Sequence, residues 1–318
     1  MKFVFIVNPI AGNEDKALIF KRIKNAFRHN DHEMIIEETQ AQGDAQNIAS
    51  QYAAEFGKDC VVVACGGDGT VHEVANGLAH TETPMMLLPF GTGNDFAKKV
   101  YGTKDIKLDD IIEKFGLFGG EISYEVKPID LIDYNGEKCI NVMSFGLDTI
   151  VETIGRKMVA KVPFLGQKAY TVAIVPAIMK PLHYKISFDV VCVDENGNEY
   201  TMAENNKDYV LFAICNASYY GGGFCPAPDS VLDDGLLDFA LVNGMALHKA
   251  LPIIPKYSSG DANENTYPDL IKNGRLRRGR IWMEDGSKLL GNCDGENFDY
   301  SDLTFTVEEK AMNLCFVK

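Results

Sequence analysis

The chain has 318 residues and carries 45 acidic against 31 basic side chains, a formal charge of −14 at pH 7. With 46% hydrophobic and 24% charged residues it has the make-up of a folded globular protein of about two domains, which excludes a disordered or fibrous chain. The acidity excludes a general nucleic-acid binder, which needs clustered Lys and Arg against phosphate, and on average it argues against an anionic membrane surface.

The longest apolar runs, such as residues 85–90 and 210–214, are strand-sized, and none reads as a membrane span. Residues 1–7 lack the long apolar core and small-residue cleavage site of a signal peptide and read as a first strand. The eight cysteines form no Cys-x-x-Cys pair, and several sit in apolar strand-like runs. They read as buried reduced thiols, and the cytoplasm is the expected compartment.

Through the first 130 residues, strand and helix signals alternate. Residues 2–7 read as a buried strand and 15–29 as a helix with Ile19, Phe20, Ile23 and Phe27 on one face. Strands over 34–38, 60–65 and 85–88 follow, interleaved with helices over 44–56 and 70–79, and further helices are expected at 95–101 and 108–115. Such alternation implies parallel strands joined by crossover helices. After about Lys127 the texture changes to strand-length runs, at 128–134, 139–145, 183–193, 209–217, 236–242, 288–294, 303–307 and 314–317. Asn135-Gly136 and Asn196-Gly197 mark hairpins among them, and a helical insertion is expected over about 151–180. The first half thus reads as a doubly wound α/β domain and the second half as antiparallel β.

Ligands of doubly wound sheets bind beyond the carboxyl ends of the parallel strands. Three of the four strands in the first half end there in loops of small or polar residues: Asn8-Pro9-Ile10-Ala11-Gly12, Gly66-Gly67-Asp68-Gly69-Thr70 and Pro89-Phe90-Gly91-Thr92-Gly93-Asn94-Asp95. Glycines admit phosphate close to the backbone, and the amides of a helix start attract it. None of the loops fits the Gly-x-x-x-x-Gly-Lys-[Ser/Thr] pattern, and the Gly-x-Gly-x-x-Gly fingerprint is missing after the first strand, so the phosphate site is of another kind.

Gly66-Gly67-Asp68-Gly69-Thr70 with His72-Glu73-Val74-Ala75-Asn76-Gly77-Leu78 resembles the signature of the diacylglycerol kinase catalytic-domain family, to which soluble bacterial lipid kinases and sphingosine and ceramide kinases belong. Asn8-Pro9 with Gly12, Thr39 before Gly43-Asp44-Ala45, and Phe90-Gly91-Thr92-Gly93-Asn94-Asp95-Phe96-Ala97 match its other N-terminal motifs in order. Tyr219-Tyr220-Gly221-Gly222-Gly223, Asp233-Asp234-Gly235-Leu236-Leu237-Asp238 and Asp294-Gly295-Glu296 match in the second half. The first glycine motif is shared with NAD kinases; the later ones favour lipid kinases.

What this resemblance implies is an ATP- and Mg²⁺-dependent kinase acting on a hydroxyl of diacylglycerol or a related lipid, with a doubly wound α/β nucleotide-binding domain over 1–128, to which about 308–318 returns, and an antiparallel β-sandwich domain over 129–307. Phosphoryl transfer of this kind needs a phosphate cradle, a divalent metal and a carboxylate at the acceptor hydroxyl. By resemblance Asn8, Pro9, Gly12, Thr39, Gly66, Gly67, Asp68, Gly69, Thr70, Gly91, Thr92, Asn94 and Asp95 surround ATP. Asp68 would act on water and Mg²⁺, Glu296 as general base, and Asp294 in the carboxylate–water–Mg²⁺ network, although the sequence alone allows the last two roles to be exchanged. A structural Mg²⁺ would sit on Asp234 and the carbonyls of Val231 and Leu236; the plain alternative for Asp233-Asp234 is a surface turn. Gly93 stands where many relatives carry another small residue, a change expected to cost nothing.

Two basic stretches interrupt the acidity. Arg156, Lys157, Lys161, Lys168, Lys180 and Lys185 oppose only Glu152 over 151–185, and Lys272, Arg275, Arg277, Arg278 and Arg280 have no acid among them over 272–280. With apolar neighbours they allow peripheral contact at the inner membrane face. The partners expected are thus a lipid substrate and a membrane surface, with no nucleic acid; a homodimer is compatible with the sequence. Two competing readings are an NAD kinase-like enzyme and a catalytically silent nucleotide- or lipid-binding regulatory module.

Overall fold

The computed structural model describes residues 1–162, 172, 173, 176 and 184–318. The chain forms two compact units, Met1–Ile129 with Lys310–Lys318, and Asp130–Glu309.

In the first unit the order is β1 (Lys2–Val7), α1 (Lys16–Phe27), β2 (Glu33–Glu38), α2 (Asp44–Phe56), β3 (Cys60–Gly66), α3 (Asp68–Leu78), β4 (Met85–Pro89), α4 (Asp95–Tyr101) and α5 (Leu108–Lys114). The strands line up as β2-β1-β3-β4, all parallel, and the end of the chain extends the sheet with Leu314 opposite Met85. Successive side chains leave a strand on opposite faces. Phe3, Phe5, Val7, Val61, Val63 and Cys65 therefore pack with Ile19, Phe20, Ile23 and Phe27 of α1 and with Ile111 and Ile112 of α5. Val4, Ile6, Val62 and Ala64 are equally buried on the other face, where α2 and α3 contact β1 and β3. Burial on both faces is why these strands read as unbroken apolar runs. Asp15 starts α1, its carboxylate accepting the Leu18 amide at 3.0 Å.

The second unit is an antiparallel β-sandwich built from β5 (Tyr124–Tyr134, entered from the first unit), β6 (Glu137–Cys139), β7 (Val142–Gly146), β8 (Tyr184–Val193), β9 (Glu199–Cys215), β10 (Leu237–Asn243), β11 (Ile271–Trp282), β12 (Gly291–Cys293), β13 (Glu296–Asn297) and β14 (Asp302–Val317). The long strands β9 and β11 change neighbours along their length. Along β9, residues 199–209 pair with β8 and 209–215 with β10; along β11, residues 271–276 pair with β10 and 275–282 with β8. Aromatic and branched residues such as Phe145, Phe188, Phe212, Ile214, Phe239 and Phe305 fill the sandwich interior. Ala213, Cys215, Ala240 and Val242 point the opposite way, into a second cluster with Leu147 and Val151 of α6 (Leu147–Lys161) and with Ile253 and Tyr257. No described helix is long and apolar enough to cross a membrane.

The structure differs from the expected elements at instructive places. The run 139–145 is two strands, because the amides of Ile140 and Asn141 bond to a buried carboxylate instead of a ladder partner. Residues 303–307 and 314–317 are parts of one strand, β14. The basic stretch 272–280 lies inside a strand, β11, that the apolar pattern does not announce. Of the expected insertion, α6 is described to Lys161, while residues 163–171, 174–175 and 177–183 fall outside the described residues.

Gly77 of α3 lies close against α2. A Cβ there would lie 2.5 Å from the Gln46 carbonyl oxygen and 2.9 Å from the Ala49 Cβ. Backbone crowding of this kind costs about 1–3 kcal/mol, more than the roughly 1 kcal/mol that alanine gains over glycine inside a helix. Gly77→Ala is therefore expected to lower unfolding stability in denaturant titration; a variant as stable as the parent contradicts the close α2–α3 packing.

Candidate functional site

At the carboxyl ends of β1, β3 and β4 the three glycine loops come together. The carbonyl of Gly66 accepts the amides of Phe90 and Gly91 at 2.9 and 3.1 Å. Gly67 and Gly91 then touch backbone to backbone: a Cβ on Gly91 would lie 2.4 Å from the Gly67 Cα. Gly12, at φ +64°, backs onto the same place, since a Cβ there would lie 1.8 Å from the Phe90 oxygen. The Asn8 amide donates to Cys65 O at 3.0 Å, and its side-chain amide donates to Thr70 Oγ1 at 3.4 Å. Thr39 is tied to the end of β1 through its amide and hydroxyl, both donating to Val7 O. Asn94, at φ +52°, donates to Gly91 O at 2.6 Å and so closes the third loop. Gly69 stands in the first turn of α3, while Pro9 and Thr92 are exposed at loop tips.

The acidic residues of this unit divide. Asp95 is 4% exposed and paired at 2.6 Å with Lys98, which is equally buried, so its carboxylate is spent inside the protein. Asp68 is half-buried and accepts the Phe96 amide at the start of α4 at 3.3 Å. Burial, and then the neighbouring Asp95, push its pKa up to about 7, against the pull of the Phe96 amide and Lys98. Gly93 lies against this carboxylate. A Cβ on it would lie 2.6 Å from Asp68 Oδ2, so any other residue must displace that carboxylate.

In the second unit Asp294 and Gly295 form the two-residue link between β12 and β13, both at positive φ (+49° and +83°), with Cys293 paired to Glu296. This is the geometry Asp-Gly favours in tight hairpins. Asp294 is 8% exposed, and its carboxylate accepts the amides of Ile140, Asn141 and Val142 at 2.9, 2.9 and 3.2 Å and the Cys139 thiol at 3.1 Å. Glu296, two residues on, is only half-buried. The environment thus separates two carboxylates that the sequence leaves exchangeable: one is an anchor, and the other is the more accessible.

At the Asp233-Asp234 turn, Asp234 Oδ1 accepts the Leu236 amide at 3.1 Å and Oδ2 is bound by the Arg275 guanidinium. Val231 is exposed and Leu236 buried beside it. An aspartate held by a guanidinium is a poor ligand for a dication, so these donors do not fit the Mg²⁺ expected there. The same contact belongs to a wider neutralisation of β11. Arg277 and Arg278 pair with Glu199 at 3.5 and 3.0 Å, and Arg280 with Asp302 at 2.5 Å. Four of the five cations of 272–280 are thus paired with carboxylates.

Several working residues carry no sequence signal of their own. Glu73 of α3 accepts the amides of Gly43 and Ala45 at 2.9 and 3.1 Å, bracing the loop that carries Thr39. Lys98 is visible only as a lysine three residues after Asp95. Asp148 accepts the Tyr220 hydroxyl at 3.0 Å, Tyr220 meets Tyr257 at 3.2 Å, and burial pushes the Asp148 pKa up to about 7.

Residues 2–119 match the family model described as "Diacylglycerol kinase catalytic domain", and residues 141–316 match "YegS C-terminal NAD kinase beta sandwich-like domain". A Xanthomonas campestris pv. campestris protein named "Probable lipid kinase YegS-like" is 30% identical over 301 residues, covering 89% of this chain and 85% of that protein. The chain belongs to the YegS-like lipid kinase family. A protein of Bacillus subtilis named "Diacylglycerol kinase" is 27% identical to this lipid kinase over 298 residues, covering 92% and 88% of the two chains. A crystal structure titled as a diacylglycerol kinase from Bacillus anthracis shares the fold, with a TM-score of 0.68 at 21% identity over 99% of this chain and 96% of that one.

In this lipid kinase Asp68 is half-buried, raised in pKa and fixed by the start of α4. Its folded pKa stands above the ordinary 3.8, so the folded chain binds this proton more tightly than the unfolded chain. Asp68 therefore weakens folding increasingly as pH rises from about 4 to about 7, and fully above that. Asp68→Asn is expected to melt several degrees higher than the parent at pH 8, with the gap closing towards pH 4. A variant less stable than the parent at pH 8 contradicts this.

Proposed function

We propose that this lipid kinase transfers the γ-phosphoryl group of ATP to a hydroxyl of diacylglycerol or a related lipid, making phosphatidic acid or its analogue. The observation that carries the reading is the backbone contact of Gly67 with Gly91, which leaves a surface of main chain without side chains beside the first turn of α3. The first amides of a helix have no acceptor within it, and together with glycine backbone they suit a chain of phosphates. The relatives named as lipid and diacylglycerol kinases support a lipid rather than NAD as acceptor.

Each residue then has a task. The loops at Asn8, Gly12, Gly66, Gly67, Gly69, Thr70, Gly91, Thr92 and Asn94 bind and orient the triphosphate. Thr39 is braced by Glu73 through α2, and Asp95 with Lys98 fixes α4 from inside. Asp68 is the residue that would hold the Mg²⁺ accompanying the nucleotide, which would supply positive charge against the phosphoryl oxygens. Glu296 takes the proton from the acceptor hydroxyl as its oxygen bonds to the γ-phosphorus and the bond from that phosphorus to the ADP oxygen breaks. Asp294 touches no reacting atom; it holds the turn on which Glu296 stands.

The test is the purified chain with labelled ATP, Mg²⁺ and a panel of diacylglycerol, phosphatidylglycerol, a sphingoid base and NAD. Label is expected in a lipid and not in NAD; transfer to NAD alone overturns the reading. General-base removal typically lowers a rate by about 10²–10⁴-fold. Glu296→Gln should lose turnover on that scale while its ATP affinity, by calorimetry, stays within about twofold of the parent. Parental turnover in that variant removes Glu296 as the base.

A further inference from the structure

The turn between Val231 and Leu236 is closed by the protein's own cations. Gly235, at φ +72°, is its left-handed corner. Beneath it Asp130, fully buried, accepts the Gly235 amide at 2.7 Å, and the Asp130 amide donates to Leu232 O at 2.6 Å. Above it, two arginines two residues apart on β11 reach the turn from one side. Arg275, whose register partner on β10 is Asp238, binds the carboxylate of Asp234. Arg277 donates to Gly235 O at 3.1 Å and is itself held by Glu309 and Glu199, each at 3.5 Å. The other Asp234 oxygen is taken by the Leu236 amide.

Magnesium and calcium are held by clusters of about six or more oxygens with net negative charge. At this turn the Asp234 carboxylate is neutralised by Arg275, and a dication reaching it would come up against a fixed guanidinium. A guanidinium also offers what a metal would: one positive centre with several directed contacts, here to a carboxylate and, through its neighbour, to a main-chain carbonyl.

We infer that Arg275, assisted by Arg277, takes the place of a divalent cation at the Val231–Leu236 turn, so that this chain holds the turn together without a metal. The inference is independent of the phosphoryl-transfer reading, because nucleotide-bound Mg²⁺ belongs to the other unit's loops. The second unit should then be indifferent to chelators, and any divalent-ion requirement of the enzyme should follow the nucleotide alone.

The experiment uses the full chain without nucleotide. Thermal unfolding is measured in EDTA and in millimolar Mg²⁺, and Mn²⁺ binding is measured by calorimetry, for the parent, Asp234→Asn, Arg275→Gln and the double variant. Expected are equal melting temperatures for the parent in both buffers and identical Mn²⁺ isotherms for the parent and Asp234→Asn. Arg275→Gln should melt lower in EDTA, recover part of the loss in Mg²⁺ and gain Mn²⁺ binding that the double variant lacks. Parental Mn²⁺ binding that disappears in Asp234→Asn overturns the inference, as does an Arg275→Gln chain that folds but gains no metal response. Should Arg275→Gln not fold, the comparison of the parent with Asp234→Asn decides alone.

Discussion

The carbonyl of Gly66 accepts two amides from the next βα loop, and the site of the first unit depends on that bond pair. It draws the ends of β3 and β4 so close that Gly67 and Gly91 touch through their backbones, where no side chain fits. Gly12 is pressed against Phe90 for the same reason. Once these loops are joined, the start of α4 faces Asp68, whose carboxylate receives the Phe96 amide, and the absence of a side chain at Gly93 leaves that carboxylate its place. Position and electrostatics are thus one event: the packing that builds the cradle also buries Asp68 beside Asp95 and raises its pKa.

The second unit solves a related problem by a different device. A buried carboxylate is stable when several donors converge on it, and Asp294 gathers three successive amides and a thiol. Those amides are withdrawn from the sheet, so β6 ends and β7 begins anew. The interruption fixes a tight hairpin whose next outward residue is Glu296. Two acids of one motif are therefore placed differently, one holding the backbone and the other left half-exposed.

Much of the first unit was legible because a parallel sheet buried on both faces writes continuous apolar runs, and because glycine is irreplaceable where backbones touch. The helix over α1 was readable from the spacing of Ile19, Phe20, Ile23 and Phe27 and from Asp15 before it. Less of the sandwich could be read. β11 is rich in arginine, and it forms a strand because Asp234, Glu199 and Asp302 neutralise those charges from segments far away in the chain. β14 was divided by its exposed polar middle, and Arg275 read as part of a cationic face although it closes a turn. The contacts of Glu73 and Lys98 are not legible in the sequence because their partners are set by how α2, α3 and α4 pack, which no local period records.

Among all measurements, the affinity of Gly91→Ala for ATP bears most directly on the central claim. The variant's melting temperature and circular dichroism establish that it folds, and calorimetry then reads the nucleotide. If contact between the two glycine loops forms the phosphate cradle, a single methyl group at Gly91 forces them apart and weakens ATP binding by about tenfold or more, roughly 1.4 kcal/mol. A folded Gly91→Ala chain that binds ATP as the parent does would contradict the account.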